Sequence, residues 1–254
     1  MENVAVAYSG GVDSTLLLKI VYDIKDDKAI GIYADSPLQP ERERLNAQET
    51  ARIIGARMLI INNRNLLDSE AFRKNPRDRC YFCKGFLFDE IVKTARSLGY
   101  TVVLDGSNHD DREDFRPGEK ALRERNIRSP LQEAGLTKEE IRIISKKYGL
   151  PTWNKDAYAC LASRIPYDEE ITEEKLRQVD EVEQILIKNG YRNVRARYYG
   201  KKVRIEVRKD QVDKLKEEIK DKNIIEVIIG RGFTKIEIDP AGYCQGSLNK
   251  PLNS

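Results

Sequence analysis

Ser9-Gly10-Gly11-Val12-Asp13-Ser14 packs two glycines, two hydroxyls and a carboxylate into one short stretch. Paired glycines let backbone N–H groups approach a ligand with no Cβ in the way. Val4-Ala5-Val6-Ala7-Tyr8 ahead of them is an apolar, β-prone run, and Leu16, Leu17, Leu18 and Ile20 behind them begin a helical pattern. A strand thus ends in a tight turn that opens a helix, whose orphan N–H groups and positive dipole end attract an anion. Phosphate or pyrophosphate is the ligand such a turn suits. The spacing is neither the Walker pattern nor GxGxxG. Asp13 would repel a phosphate unless a cation stood between them, which points to Mg²⁺. The plain alternative, a βα turn capped by Ser9, explains neither the second glycine nor the acid.

The second reactive group is Cys80-Tyr81-Phe82-Cys83, a CxxC, joined by Cys160 and, near the end of the sequence, Cys244. A CxxC can be a zinc knuckle, a redox pair or half of an iron–sulfur site. The redox pair fits poorly, because Asn75-Pro76-Arg77-Asp78-Arg79 precedes Cys80 where a strand is expected. A structural zinc needs four N or S ligands, so Cys244 or the single histidine, His109, would have to complete it. Three thiolates with an open fourth position suit a 4Fe–4S cluster. Spacing alone leaves zinc and cluster level, with inert buried thiols third. His109, among Asn108, Asp110 and Asp111, reads as part of a polar loop, which argues against His–Ser or His–Cys catalysis.

The elements that must position these groups alternate. Strand patterns at Val4–Tyr8, Ala29–Ala34, Arg57–Ile61 and Thr101–Asp105 are separated by helical patterns at Thr15–Tyr22, Arg42–Ile54 and Phe86–Leu98. The pattern predicts an α/β fold, a parallel doubly wound sheet with helices on both faces. Ligands in such sheets bind beyond the carboxyl ends of the strands. The loops Ser9–Ser14, Ala34-Asp35-Ser36 and Asp105-Gly106-Ser107-Asn108 should therefore meet at one rim, the second of them near adenine or ribose. From Asp168 the pattern changes to a small α+β domain: a helix over Glu173–Asn189, a hairpin of Val194–Tyr199 and Val203–Arg208 about Gly200, a helix at Asp210–Lys220, and strands at Ile224–Ile229 and Thr234–Ile238. Pro166 sets the expected boundary, giving domains 1–166 and 167–254.

With 254 residues, 40% hydrophobic and 34% charged, the chain has the composition of a globular protein. No apolar run approaches the roughly 20 residues of a membrane helix. The α/β pattern with four cysteines suggests a reducing cytoplasm. A net charge of +3 does not by itself call for nucleic acid.

The SGGVDS loop resembles that of the PP-loop ATP pyrophosphatases, which adenylate a substrate and release pyrophosphate. Along nearly the whole chain the finer resemblance is to the LarE family, the sulfur transferases of nickel-pincer nucleotide synthesis. Its carriers are Ala7–Ser14, Arg79-Cys80-Tyr81-Phe82-Cys83-Lys84, Asp105–Asn108 with Asp110 and Asp111, Arg128-Ser129-Pro130-Leu131, Ala159-Cys160-Leu161-Ala162-Ser163-Arg164 with Ile165–Tyr167, and Gly246-Ser247-Leu248-Asn249. The resemblance implies an ATP-dependent enzyme acting on pyridinium-3,5-biscarboxylic acid mononucleotide. In one branch of the family three cysteines hold a 4Fe–4S cluster that passes on an added sulfide. Cys80, Cys83 and Cys160 match that branch, and Cys244 matches no ligand position.

On this resemblance ATP lies against Ser9, Gly10, Gly11, Asp13, Ser14, Ala34, Asp35, Ser36, Gly106 and Asn108, with Asp13 toward Mg²⁺. Lys84, Arg128, Arg164 and Arg195 are candidate contacts for substrate phosphate or carboxylate, and Arg164 and Arg79 supply positive charge near the thiols. The expected partners are a small nucleotide substrate, sulfide and further copies of the chain. Two other readings compete. A tRNA thiolase would use the basic and aromatic stretch from Arg192 to Arg204, although Glu181, Glu183, Glu217, Glu218 and Asp221 balance it. The other is a nucleotide-binding protein with a zinc knuckle.

Overall fold

A computed structural model describes residues 2–112, 117–156, 159–219 and 222–244. The stretch 246–249 named above lies outside them. The chain divides into two compact units, the first made of Met1–Phe72 and Arg77–Tyr158, the second of Arg73–Pro76 and Ala159–Ser254. Cys160 and Arg164 therefore belong to unit two, and the division falls before the expected break at Pro166.

Unit one runs β1 (Val4–Ala7), α1 (Val12–Lys25), β2 (Ala29–Asp35), α2 (Glu41–Ile53) and β3 (Met58–Asn62). A single helical turn, α3 (Glu70–Arg73), precedes α4 (Arg79–Ser97), β4 (Val102–Leu104), α5 (Pro117–Glu124), the turn α6 (Pro130–Glu133) and α7 (Lys138–Lys147). The sheet is parallel, in the order β3-β2-β1-β4. From β1 the chain winds outward through β2 and β3, then crosses to β4 on the other side of β1. The crevice where strand order reverses thus opens at the carboxyl ends of β1 and β4, where ligands of such sheets bind. Apolar side chains cover both faces. Val4, Val6, Leu16, Leu17, Ala47, Ala51 and Ile141 bring α1, α2 and α7 to one. Ala5, Ile30, Ile32, Phe88, Ile91 and Ala95 bring α4 to the other.

Unit two holds α8 (Glu173–Lys188), β5 (Arg195–Tyr199), β6 (Lys202–Glu206), α9 (Val212–Glu218), α10 (Lys222–Gly230) and β7 (Lys235–Ile238). Its sheet has the order β5-β6-β7, with β5 and β6 antiparallel about Gly200 as expected and β7 parallel to β6. One element corrects the sequence reading: 224–229 is helical, inside α10, not a strand. Ile224 and Ile228 are buried while Val227 and Ile229 are exposed. That four-residue spacing is the helical period, and packing overrides the β-propensity of the isoleucines.

Candidate functional site

The six-residue loop after β1 is shaped by its glycines. Gly10 has φ +70°, and a Cβ there would stand 2.7 Å from Ala47 Cβ on α2. Only glycine allows both the conformation and the approach. Gly11 is the extended N-cap of α1, its carbonyl accepting the first helical bond from Thr15 N at 3.0 Å, while a Cβ on Gly11 would meet nothing closer than Ser9 Oγ at 3.5 Å. Its missing side chain therefore leaves space on the ligand side. Ser14 Oγ accepts from Ser9 N at 3.2 Å, lies 3.0 Å from Ser9 Oγ and donates to Gly11 O at 3.3 Å, closing the loop on itself. Gly106, after β4, comes so close that a Cβ would lie 3.0 Å from Ser14 N. The two loops thus meet at the reversal of strand order.

Beyond them lies a cavity of about 440 Å³, lined by Ser9, Gly11, Asp13, Ser14, Ala34, Gly106 and Ser107 and by Lys84, Leu87, Phe88 and Ile91 of α4. A second, of about 220 Å³, shares Ser9, Gly11, Asp13 and Gln39 with the first and adds Lys138 and Lys155. Lys138 Nζ donates to Asp13 Oδ2 at 2.5 Å. Lys155 Nζ donates to Gly10 O at 3.0 Å and pairs with Glu43 at 2.8 Å. Burial pushes the Asp13 carboxyl above its usual range, with Lys138 pulling the other way. Asp13 Oδ1 is buried with no partner among the described residues. An unsatisfied buried carboxylate oxygen facing an anion-binding loop fits a cation such as Mg²⁺.

Sequence reading missed Lys138, Lys155 and Gln39. Lys138 had a signal. Thr137 and Glu140 form a capping box, marking the helix start that carries Lys138. Other expected contacts stand elsewhere. Asp35 ends β2 near Arg44 and Arg64, and Ser36 Oγ accepts from Leu38 N in a turn. Asn108 Oδ1 accepts from Asp110 N, so the residue braces its own loop. None of the three lines either cavity. Arg128 is mostly exposed and pairs with Glu133 through two bonds of 3.2 and 2.5 Å, while its backbone extends the sheet beside Leu104. His109 donates its backbone N–H to Leu136 O, in keeping with a loop.

The CxxC lies on the first turn of α4, which begins at Arg79 rather than at Phe86. Cys80 is exposed, Cys83 half-buried and Arg79 buried. A helix N-terminus favours thiolate over thiol. Cys160, half-buried in unit two, is the N-cap of a short turn over Leu161–Arg164. Here Arg164 departs from expectation. Its side chain is wholly buried, with Nε and one terminal nitrogen donating to the two Glu183 carboxylate oxygens at 2.6 and 2.9 Å. The other terminal nitrogen donates to the carbonyls of Ala159 and Cys160. Arg164 thus braces the backbone beneath the thiol. Arg197 donates to Ser163 O at 2.7 Å and pairs with Glu206. Arg195 is also buried, donating to Val194 O and stacking 4.6 Å from the Tyr243 ring. The solvated face expected for these two arginines is therefore an internal one. Among the described residues no three His, Cys, Asp or Glu side chains stand together in a group that could hold a metal ion.

No protein-family model matches the chain. Individual proteins do. Over 99% of this chain and 94% of the relative it is 40% identical to "Uncharacterized protein slr1717" of Synechocystis. It is 31% identical, over 99% of this chain and 91% of the relative, to "Pyridinium-3,5-bisthiocarboxylic acid mononucleotide synthase" of Lactiplantibacillus plantarum. Over 58% of this chain and 51% of the relative it is 23% identical to a glutamine-hydrolyzing GMP synthase of Halorubrum lacusprofundi.

Proposed function

The chain belongs to the LarE family of pyridinium-3,5-bisthiocarboxylic acid mononucleotide synthases, ATP-dependent sulfurtransferases of the PP-loop fold, and from that premise we propose that it adenylates a substrate carboxylate and replaces one carboxylate oxygen with sulfur. The substrate we assign is pyridinium-3,5-biscarboxylic acid mononucleotide. The observation that carries this reading lies in unit one: the helix that bears Cys80 and Cys83 also lines the cavity behind the SGGVDS loop.

A carboxylate does not yield an oxygen to sulfide, because the leaving group would be oxide. Its attack on the α-phosphorus of ATP forms a mixed anhydride and expels pyrophosphate. Sulfide then attacks the acyl carbon and AMP leaves with the oxygen. Ser9, Ser14 and the N–H groups of Gly10 and Gly11 would hold the triphosphate at the N-terminus of α1. Lys138 and Lys155 would face the departing pyrophosphate. Asp13, with its unpartnered oxygen, would hold Mg²⁺ in exchange for Lys138. Cys80, Cys83 and Cys160 are the thiolates we assign to a 4Fe–4S cluster. When bound, such a cluster with one open iron supplies sulfide to the activated carboxylate. Cys80 and Cys83, one turn apart at a helix start, fit two of its corners.

Anaerobic protein given ATP, Mg²⁺, sulfide and substrate should release pyrophosphate and AMP and form a thiocarboxylate. Asp13→Ala should abolish pyrophosphate release without unfolding the chain. Reconstitution with iron and sulfide should give the absorption near roughly 400 nm of thiolate-bound clusters. Alanine at Cys80, Cys83 or Cys160 should remove it, and alanine at Cys244 should not. Stoichiometric zinc without labile sulfide would return the cysteines to a structural knuckle.

A further inference from the structure

Helices α4 and α5 cross with a reciprocal arrangement of glycine and cation. Gly85 of α4 lies under Arg125 of α5, where a Cβ would stand 3.1 Å from a guanidinium nitrogen. Gly118 of α5 lies under Lys84 of α4, where a Cβ would stand 2.4 Å from Cδ, 3.0 Å from Cε and 3.2 Å from Cγ. The two crossings end differently. Arg125 closes on Asp89 through two bonds of 2.8 Å and donates to Ala121 O, so it ties the helices together. Lys84 makes no hydrogen bond or ion pair among the described residues, and it lines the cavity shared with Ser9, Asp13, Ser14 and Gly106.

We propose that Gly118 is a positioning residue: it opens the channel through which the Lys84 side chain reaches the nucleotide, so that the Lys84 ammonium meets a phosphate of ATP. The proposal rests on reading that cavity as the ATP site. Gly118 sits in the first turn of a helix with no left-handed φ, so its backbone does not demand glycine. What demands glycine is the lysine stem crossing above it. The obstructed atoms belong to a flexible side chain, which can swing away at little cost to the fold. A methyl group at 118 would therefore leave the helices packed and move one cation out of the cavity.

Titration calorimetry with ATP and Mg²⁺ on the wild-type chain, Gly118→Ala, Lys84→Ala and the double variant tests this. Each single change should weaken ATP binding about tenfold, the range of one charge-assisted hydrogen bond. The double variant should bind no more weakly than Lys84→Ala alone, because both changes remove the same contact. Gly118→Ala should melt at the wild-type temperature or above, since alanine is the better helix former. ATP binding by Gly118→Ala within about twofold of wild type, or losses that add in the double variant, would overturn the proposal. A wild-type chain that bound no ATP would remove the cavity reading and this proposal with it, an outcome separate from an undiminished Gly118→Ala.

Discussion

Asp13 is held between two opposing influences. Its burial favours the neutral acid, and the Lys138 ammonium at 2.5 Å favours the carboxylate. The net effect lifts its pKa above the ordinary 3.8. A carboxyl with a raised native pKa contributes stability that is complete below its unfolded value and lost as pH rises through the native one. Removing Lys138 takes away the influence that limits this loss. Lys138→Met should therefore match the wild type in urea denaturation below pH 3.8 and fall behind it as the solution approaches neutrality. The deficit there should be about 1–3 kcal/mol, since both groups keep some exposure to water. Asp13→Asn in the Lys138→Met background should restore most of it. A deficit that does not change with pH would mean that Lys138 acts through packing instead.

At the scale of elements, the turn carrying Cys160 is tied to α8 and β5 by internal charge. Arg164 and Glu183 are both fully buried, and Glu183 also accepts from Ala196 N at 3.0 Å. Breaking such a pair from one side leaves a charge without a partner in a medium that solvates it poorly. Glu183→Ala should cost roughly 3–5 kcal/mol, read from urea denaturation. It should also speed alkylation of Cys160 relative to Cys244, because the turn beneath the thiol loses its brace. A cost below about 1 kcal/mol would show that water relieves the arginine. The sequence carried a faint mark of this arrangement. Glu183 falls within the apolar stripe of α8 formed by Leu176, Val179, Val182 and Leu186, at helical spacing. A buried acid reads as one more surface charge until its partner is known, and the Arg164 partner is distant in sequence. The strands of unit one were legible for the opposite reason: each is a local apolar run ended by a turn residue, and the glycine loop gives its own geometry away. The helical period of α10 was hidden by consecutive isoleucines, which satisfy a strand pattern and a helix pattern equally. Lys155 enters the site from an irregular segment, and nothing local to it announces that.

Over the whole molecule, the balance of charge separates a small-molecule enzyme from one that docks nucleic acid. Forty-five basic side chains face forty-two acidic ones. Pairing matters more than the count. In unit two Lys202 and Arg204 both bond Glu237, Arg208 bonds Asp210, Arg231 meets Glu181 and Arg197 is buried against Glu206. Tyr199, the aromatic that would have to stack on a base, already lies 5.3 Å from the Lys202 ammonium and 5.4 Å from the Arg204 guanidinium. A phosphate backbone would have to displace these carboxylates one by one, and each displacement removes part of the gain from counterion release. Filter binding of bulk tRNA at physiological salt should therefore give dissociation constants no tighter than about 1 µM, the range of non-specific contact. The logarithm of affinity against the logarithm of salt should slope as for only a few phosphate contacts. Sub-micromolar binding with a steep slope would mean that the pairs open for a polyanion, and would move the acceptor of sulfur from a mononucleotide to tRNA.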